Sequence, residues 1–125
     1  MKPSQLFTAQ AANNGVALAI KFPNGTPTGQ TITVRGTDSP QFQSAAREKN
    51  KARIEILTLP QSEQEAAFEL ATVKLMTSLV VDWSLEGECD SKAVEELFTN
   101  APDVMEQVDS FCTKRANFFT MPPKS

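Results

Sequence analysis

The sequence has 125 residues, a hydrophobic fraction of 40% and a formal net charge of −3. A chain of this size supports one modest core, so we expect a single domain over residues 15–119. It contains no histidine, and the spacing of its two cysteines, Cys89 and Cys112, fits neither a disulfide framework nor a zinc site, so catalytic residues, a bound metal and a cofactor are not expected.

Residues 1–14 have no sustained hydrophobic period, and we expect them to form a flexible arm. The first residues lack the apolar stretch of a signal peptide, and no run of about 18 apolar residues occurs. We therefore expect a soluble protein that stays in the cytoplasm and has no membrane partner.

The next segment predicts a β-hairpin over residues 15–36. Apolar residues alternate with other residues, as in a half-buried strand, at Val16, Leu18, Ile20 and Phe22 and again at Ile32 and Val34. A segment rich in Pro and Gly separates the two runs and is typical of a long hairpin tip. Because two strands alone are marginally stable, their apolar face must pack on other elements.

Four helices are predicted after the hairpin, which gives an α+β fold that is predominantly helical. Each helix has a start signal: a capping oxygen before Pro40, a capping box at residues 62–65, Asp90 or Ser91, and Pro102. The second helix is the most apolar and is expected to be central. The predicted helices span about 40–57, 63–84, 91–99 and 102–119, and a flexible tail follows at residues 120–125.

Charge is distributed unevenly along the chain. Residues 1–53 carry seven basic and two acidic side chains, a net charge of +5. Residues 82–109 carry one basic and nine acidic side chains, a net charge of −8. Two interpretations remain open: these charges solvate two faces of the protein, or they meet between copies or on a partner.

Paired carboxylates are the remaining candidates for acid-base catalysis. The pairs are Glu86 with Glu88 and Glu95 with Glu96. Nothing near them in sequence would desolvate one member of a pair, and such runs usually solvate a helix. We therefore expect no enzymatic activity.

The basic residues of the first predicted helix lie on two adjacent strips and could contact phosphates. These residues are Arg47, Lys49, Lys51 and Arg53. The segment also contains Glu48 and has no aromatic neighbours for base stacking, and the protein as a whole is acidic. Binding to nucleic acid is therefore not the favoured interpretation.

Large apolar residues of the C-terminal half are candidates for binding a partner. Trp83 lies where the central helix ends in an acidic loop, and it either closes the core or anchors a partner. Phe118 and Phe119 are adjacent, so on a helix their rings would point about 100° apart and could not both enter one core. The partner-binding candidates are Trp83, Leu85, Met105, Phe111, Phe118 and Phe119.

Three segments together resemble the tail assembly chaperones of long-tailed, siphovirus-type bacteriophages. They are the hairpin leading into VRGTDSPQF, the apolar helix ending in VVDWSLEG, and the block AVEELFTNAPDVMEQVDSFCTKRANF. The last block is the most informative. It begins with a short helix that ends in Leu-Phe, and a Pro turn follows. The block continues with Val-x-x-Gln-Val at residues 104–108 and closes with Arg-x-Asn-Phe at residues 115–118. The resemblance covers roughly residues 15–119.

The resemblance implies a function without catalysis. Such proteins bind the tape measure protein, a long apolar helical rod, and keep it soluble while tail tube subunits assemble around it. They are absent from the mature virion. The expected partners are therefore the tape measure protein and the tail tube protein, in the cytoplasm of the host bacterium. The alternatives are a small structural tail or neck protein of the virion or, less favoured, a nucleic-acid-binding regulator.

The charge distribution also suggests weak homo-oligomers. The basic helix of one copy would meet the acidic segment of the next, in a contact that salt weakens. The self-association candidates are Arg47, Lys51, Arg53, Glu95, Glu96 and Asp103. The break at residues 99–102 would angle two short helices so that one apolar side faces the core and another faces the client.

Overall fold

The computed structural model describes residues 1–119, apart from the side chain of Gln10, and the predicted tail at residues 120–125 lies outside that range. The described elements are α1 (Ala9–Ala12), β1 (Val16–Lys21), β2 (Pro27–Val34), α2 (Pro40–Ile56), α3 (Gln61–Thr77), β3 (Val80–Trp83), α4 (Ser91–Asn100) and α5 (Pro102–Cys112), with 3₁₀ turns at Pro3–Leu6 and Arg115–Asn117. The predicted class, an α+β fold with a hairpin followed by four main helices, is confirmed.

The hairpin pairs β1 with β2 in antiparallel register, and the register shifts between Ala19 and Lys21. Its inner face contributes Ile20, Ile32 and Val34 to the core, as the alternating pattern predicts. Phe22 belongs to the same alternation but is 54% exposed. It lies beyond the register shift, next to the turn, so the end of the apolar face remains uncovered.

The predicted helix 63–84 is wrong in its last part, because α3 ends at Thr77 and β3 follows. β3 pairs with β2 in antiparallel register, Val34 opposite Val80 and Ile32 opposite Trp83. A run of apolar and β-branched residues fits a strand as well as a helix. The outer edge of β2 also needs hydrogen-bond partners, and pairing there makes the segment a strand instead of a continuation of the helix.

The predicted helix 102–119 is also too long, because α5 ends at Cys112. The side-chain amide of Asn117 donates to the carbonyl of Phe111 at 2.9 Å and so caps the end of the helix. The chain then turns back and buries Phe118, which is 5% exposed and contacts Phe111 edge-on at 5.6 Å between ring centroids. The premise that Phe118 and Phe119 share a helix is therefore incorrect.

The core lies between the sheet and helices α3, α4 and α5. Its most enclosed apolar side chains are Ile32, Val34, Leu79, Phe98, Val108 and Cys112. By contrast, α2 packs on α3 and buries only Ile56 among its own residues. The thin apolar side of α2 accounts for this position at the edge of the domain.

Residues 36–39 join several parts of the chain. The amide of Gly36 donates to the carbonyl of Ala12 at 2.7 Å, and the amide of Thr37 donates to the carbonyl of Cys112 at 3.1 Å. Ser39 is fully buried, and its hydroxyl accepts from the amide of Phe42, so it caps α2. The buried Ala12 shows that the end of the expected arm packs on the domain, whereas the flexibility of the preceding residues stays a prediction.

Replacing Gly36 by Ala should destabilise the protein by about 1–3 kcal/mol, because the added Cβ would overpack this junction. That atom would lie 2.9 Å from the Cβ of Ala12 and 3.1 Å from Cδ2 of Phe118. Urea denaturation provides the measurement. The control is the double variant with Ala12→Gly, which removes the nearest atom and should lose less stability than the sum of the single variants. Strict additivity would show that the two positions do not interact.

Candidate partner-binding surfaces

The break between α4 and α5 forms a corner with a defined local geometry. Asp90 caps α4 by accepting from the amide of Ala93 at 2.8 Å. Ala101 leaves the helical conformation at φ −132° and ψ 70°, and Pro102 begins α5 in a position where its missing N–H costs nothing. The helix–break–helix pattern in the sequence therefore corresponds to a real corner.

The side chain of Gln107 holds this corner against the hairpin. Its Oε1 accepts from the amide of Lys21 at 3.0 Å, and its Nε2 donates to the carbonyl of Lys21 at 2.9 Å. The same Nε2 donates to Oδ2 of Asp103 at 2.8 Å. The amide thus satisfies both backbone groups of one β1 residue and links them to the first turn of α5.

An open apolar groove of about 610 Å³ lies between the hairpin and this corner, and we call it the corner groove. Its polar walls include Lys21 and Asp103, the two residues that Gln107 connects. Its apolar lining consists of Ile20, Phe22, Pro23, Ile32, Leu85, Leu97, Ala101, Pro102 and Val104. Apolar surface that remains open in this way is typical of a binding groove.

An acidic surface continues from the corner groove along α4, and we call it the acidic shelf. It shares Leu97 with the corner groove, and its lining includes Trp83. The indole N–H of Trp83 donates to the carbonyl of Gly87 at 3.0 Å, and Gly87 has a positive φ of 92° that suits glycine. The acidic residues of the shelf are Glu86, Glu88 and Glu96.

A second groove, which we call the α3 groove, lies between α3 and the start of α5. Its volume is about 1040 Å³, and its lining includes Phe68, Leu70 and Met105. Leu70 is 50% exposed. Glutamine, threonine and glutamate side chains also line this groove, so its apolar surface is interrupted.

The six partner-binding candidates do not form one surface. Leu85 lines the corner groove, Trp83 lines the acidic shelf, and Met105 lines the α3 groove. Phe111 and Phe119 are half-buried and line none of the three, and Phe118 is enclosed in the core. Phe118 is therefore corrected from a surface candidate to a core residue.

Sequence reasoning did not select two of the exposed lining residues. Phe22 ends the alternating apolar pattern next to a Pro-Asn-Gly turn, and this terminal position is the sequence signal for a ring that extends past the core. Leu70 lies beside the main apolar stripe of α3, where a helix widens its apolar face beyond the part that is packed.

The self-association candidates lie on separate elements. Arg47, Lys51 and Arg53 are exposed on α2, where the ammonium group of Lys51 lies 3.5 Å from a carboxylate oxygen of Glu48. The acidic candidates lie on α4 and on the first turn of α5; Glu96 is exposed, whereas Glu95 and Asp103 are half-buried. Basic and acidic candidates are thus available on the surface for contact with another molecule.

An ion pair between Asp38 and Arg115 connects the start of the helical region with the C-terminal turn. Nε of Arg115 donates to Oδ2 of Asp38 at 2.6 Å, and a second guanidinium nitrogen donates to Oδ1 at 3.1 Å. The hydrogen bond from Arg115 lowers the pKa of Asp38 below 3.8; the side chain of Thr8 contributes in the same direction and burial opposes it.

Both cysteines are free thiols with raised pKa values. Burial is the main cause for each, and it raises the pKa of Cys112 to about 12 with a further contribution from Asp109. Among residues 1–119, no group of three or more His, Cys, Asp or Glu is arranged to hold a metal ion. In the same part of the chain, no helix is both long and apolar enough to cross a bilayer.

The fold and these surfaces describe a small α+β protein with exposed apolar grooves. A family model described as phage tail assembly chaperone matches residues 3–112, and the chain therefore belongs to this family. The match includes most of the N-terminal arm and ends before the Arg-x-Asn-Phe segment. Searches of curated proteins and of solved structures each gave no significant match.

The Asp38–Arg115 pair should make stability depend on pH in one direction. Because the folded state lowers the pKa of Asp38, the pair stabilises the fold above pH 3.8, and this contribution is lost as the pH falls below that value. The unfolding free energy of the natural chain should therefore exceed that of Asp38→Asn at about pH 7, and the difference should shrink by about pH 3. Urea denaturation at both pH values measures it.

Arg115→Gln is the matched variant for this experiment, since it removes the partner and leaves the carboxylate. It should lose the same pH-dependent part of the stability. If natural chain and Asp38→Asn differ equally at both pH values, the ion pair does not contribute as described.

Proposed function

We propose that this chaperone binds the tape measure protein and keeps it soluble while tail tube subunits assemble around it. The observation that carries the proposal is the corner groove, an open apolar surface on a member of the tail assembly chaperone family. A groove of this kind suits an apolar strip on a client helix. The tube protein would then replace the chaperone, which would be absent from the mature virion.

The acidic character of the chain supports this role on physical grounds. A long apolar rod aggregates in water when its strip is uncovered. A subunit that buries part of that strip and presents nine acidic side chains over residues 82–109 would give the complex a charged surface. We place this action in the cytoplasm of the host bacterium and propose that it proceeds by binding alone, with no chemical step.

We further propose that copies associate weakly along the client. The basic side of α2, with Arg47 and Lys51, would contact the acidic segment of a neighbouring copy at Glu95, which lines neither the corner groove nor the acidic shelf. Such contacts between exposed charges are weak and are screened by salt. They would allow the subunits to cover a long rod and to leave it again when the tube forms.

Co-expression with the long protein encoded beside this chain tests the main proposal. That protein should remain in the supernatant when this chain is present and should sediment without it, because the uncovered helices associate. An unrelated acidic protein expressed at the same level is the control. Equal solubility with both would contradict the proposal.

Mass spectrometry of purified particles tests the proposed absence from the virion, and a stoichiometric signal would favour a structural tail or neck protein.

Analytical ultracentrifugation tests the contact between copies. The sedimentation coefficient should rise with concentration at low salt and should approach that of a monomer at about 1 M salt, where the Debye length is about 3 Å. Lys51→Glu should weaken the association. Lys74→Glu, which reverses an exposed charge on α3, should not. A monomer under all conditions, or equal effects of the two variants, would contradict this contact.

A further inference from the structure

The corner groove is preformed on both sides. Gln107 belongs to the α5 wall and makes two hydrogen bonds to the backbone of Lys21 in the hairpin wall, while Asp103 on α5 orients its side-chain amide, so the two walls are joined before a ligand binds. A ligand would therefore enter without first paying the entropy of ordering the groove. Phe22, at 54% exposure, leaves a large apolar ring at the open side.

The side chains around this groove are mainly acidic, and basic side chains of the protein neutralise few of their charges. Four carboxylates line the corner groove and the acidic shelf, and Lys21 is the one basic residue among the residues that line them, which gives a net charge of −3. The carboxylates belong to Glu86, Glu88, Glu96 and Asp103. Within residues 1–119, none of the four forms a salt bridge. An occupant with positive charge beside its apolar strip would supply the missing counter-charges.

The size of the surface fits a short helix. The groove and the shelf meet at Leu97, Asn100 and Ala101 on the last turn of α4. α4 has ten residues, and a helix of that length spans about 15 Å. A client helix of about three turns would present apolar residues at i, i+3 or i+4 and i+7 to such a surface.

We propose that the corner groove and the acidic shelf together bind one amphipathic helix whose apolar strip is flanked by lysine or arginine. This inference rests on the proposed function and specifies the client segment: a basic amphipathic helix of the tape measure protein. The apolar strip packs on Phe22, Leu85 and Leu97, and the basic flank lies along Glu86, Glu88 and Glu96.

The α2 helix of a second copy is a weaker fit to the same surface. It carries Arg47 and Lys51 and exposes Ile54 in its last turn, and the exposed Leu57 directly follows its last residue. These two apolar residues lie only at its C-terminal end, and the buried Ile56 faces α3, so α2 offers less than three turns of free apolar strip. The charge at the groove matches both helices, but the apolar length favours the client.

Binding can be measured through Trp83, because the chain has one tryptophan and no tyrosine. Three peptides without Trp or Tyr are compared: a basic amphipathic helix, the same apolar strip with glutamate flanks, and residues 40–57 of this chain. The basic amphipathic peptide should shift the Trp83 emission and should bind about tenfold more tightly than the other two. Its affinity should fall as salt is raised.

Matched variants locate the site. Phe22→Ser should weaken binding of the basic peptide about tenfold, whereas Leu70→Ser, which changes a similarly exposed residue in the α3 groove, should leave it within about twofold. Glu86→Gln/Glu88→Gln/Glu96→Gln should weaken binding and flatten its salt dependence. Glu65→Gln/Glu69→Gln, in the α3 groove, is the charge control. Urea denaturation of each variant verifies that the fold is intact.

Equal binding of the basic and acidic peptides would overturn the charge match, and a larger effect of Leu70→Ser than of Phe22→Ser would move the site to the α3 groove. Preferential binding of residues 40–57 would assign the groove to a second copy.

The variants also separate the two proposals. If Phe22→Ser still solubilises the tape measure protein on co-expression, the groove assignment fails and the chaperone function remains. If the peptide binds but the client stays insoluble, the function fails.

Discussion

The double hydrogen bond between the side-chain amide of Gln107 and the backbone of Lys21 determines how the helical corner meets the hairpin. It replaces the partner that an additional strand would have supplied at this residue of the edge strand. Asp103, one turn earlier on α5, accepts from the same side-chain amide and so orients it towards Lys21, and a rotation of α5 about its axis would break both hydrogen bonds to the hairpin. The apolar side of the break at Ala101 is thereby directed towards Ile20 and Phe22, where it forms a groove with them instead of closing over them.

Contacts at the other edge of the sheet, where β3 lies, support that arrangement. β3 pairs with the outer edge of β2, and the amide of Arg35 donates to the carbonyl of Leu79, which lies between α3 and β3. Residues 36–39 then bring together α1, the start of α2 and the end of α5. These contacts join the sheet and the helices around a small core, and the apolar surface of the corner groove lies outside that core. A chain of this size that is to bind a client needs such a division between packed and available surface.

Local patterns in the sequence predict most of the elements and few of the contacts between them. Three sequence signals depend only on neighbours along the chain, and the structure contains the element that each predicts. The alternation before residue 22 corresponds to the hairpin, the capping oxygen of Ser39 to the start of α2, and the break at Pro102 to the corner. The apolar run of residues 78–84 fits the period of a helix and that of a strand, so the sequence pattern predicts a helix where pairing with the distant β2 forms a strand. Phe118 was misassigned for a related reason: the cap from Asn117 ends α5 and turns the ring inward.

The role of Gln107 shows the same limit for the candidate site. It was part of the motif that supported the family resemblance, but its partner lies 86 residues away in the chain, so no local pattern indicates the contact. The acidic lining was visible as a charge excess, whereas its position beside an apolar groove depends on the tertiary fold. The six partner-binding candidates therefore do not share one surface: of these six, Leu85 lines the corner groove and Trp83 lines the acidic shelf that we assign to the client.

The central claim is that a client helix occupies the groove that Gln107 holds between the hairpin and the α4–α5 corner. Nuclear magnetic resonance of the protein bound to a soluble fragment of the tape measure protein tests it most directly. We expect intermolecular nuclear Overhauser effects from the client to the ring of Phe22 and to the methyl groups of Leu85 and Leu97. Effects confined to α2, or to Phe68 and Leu70 in the α3 groove, would contradict it.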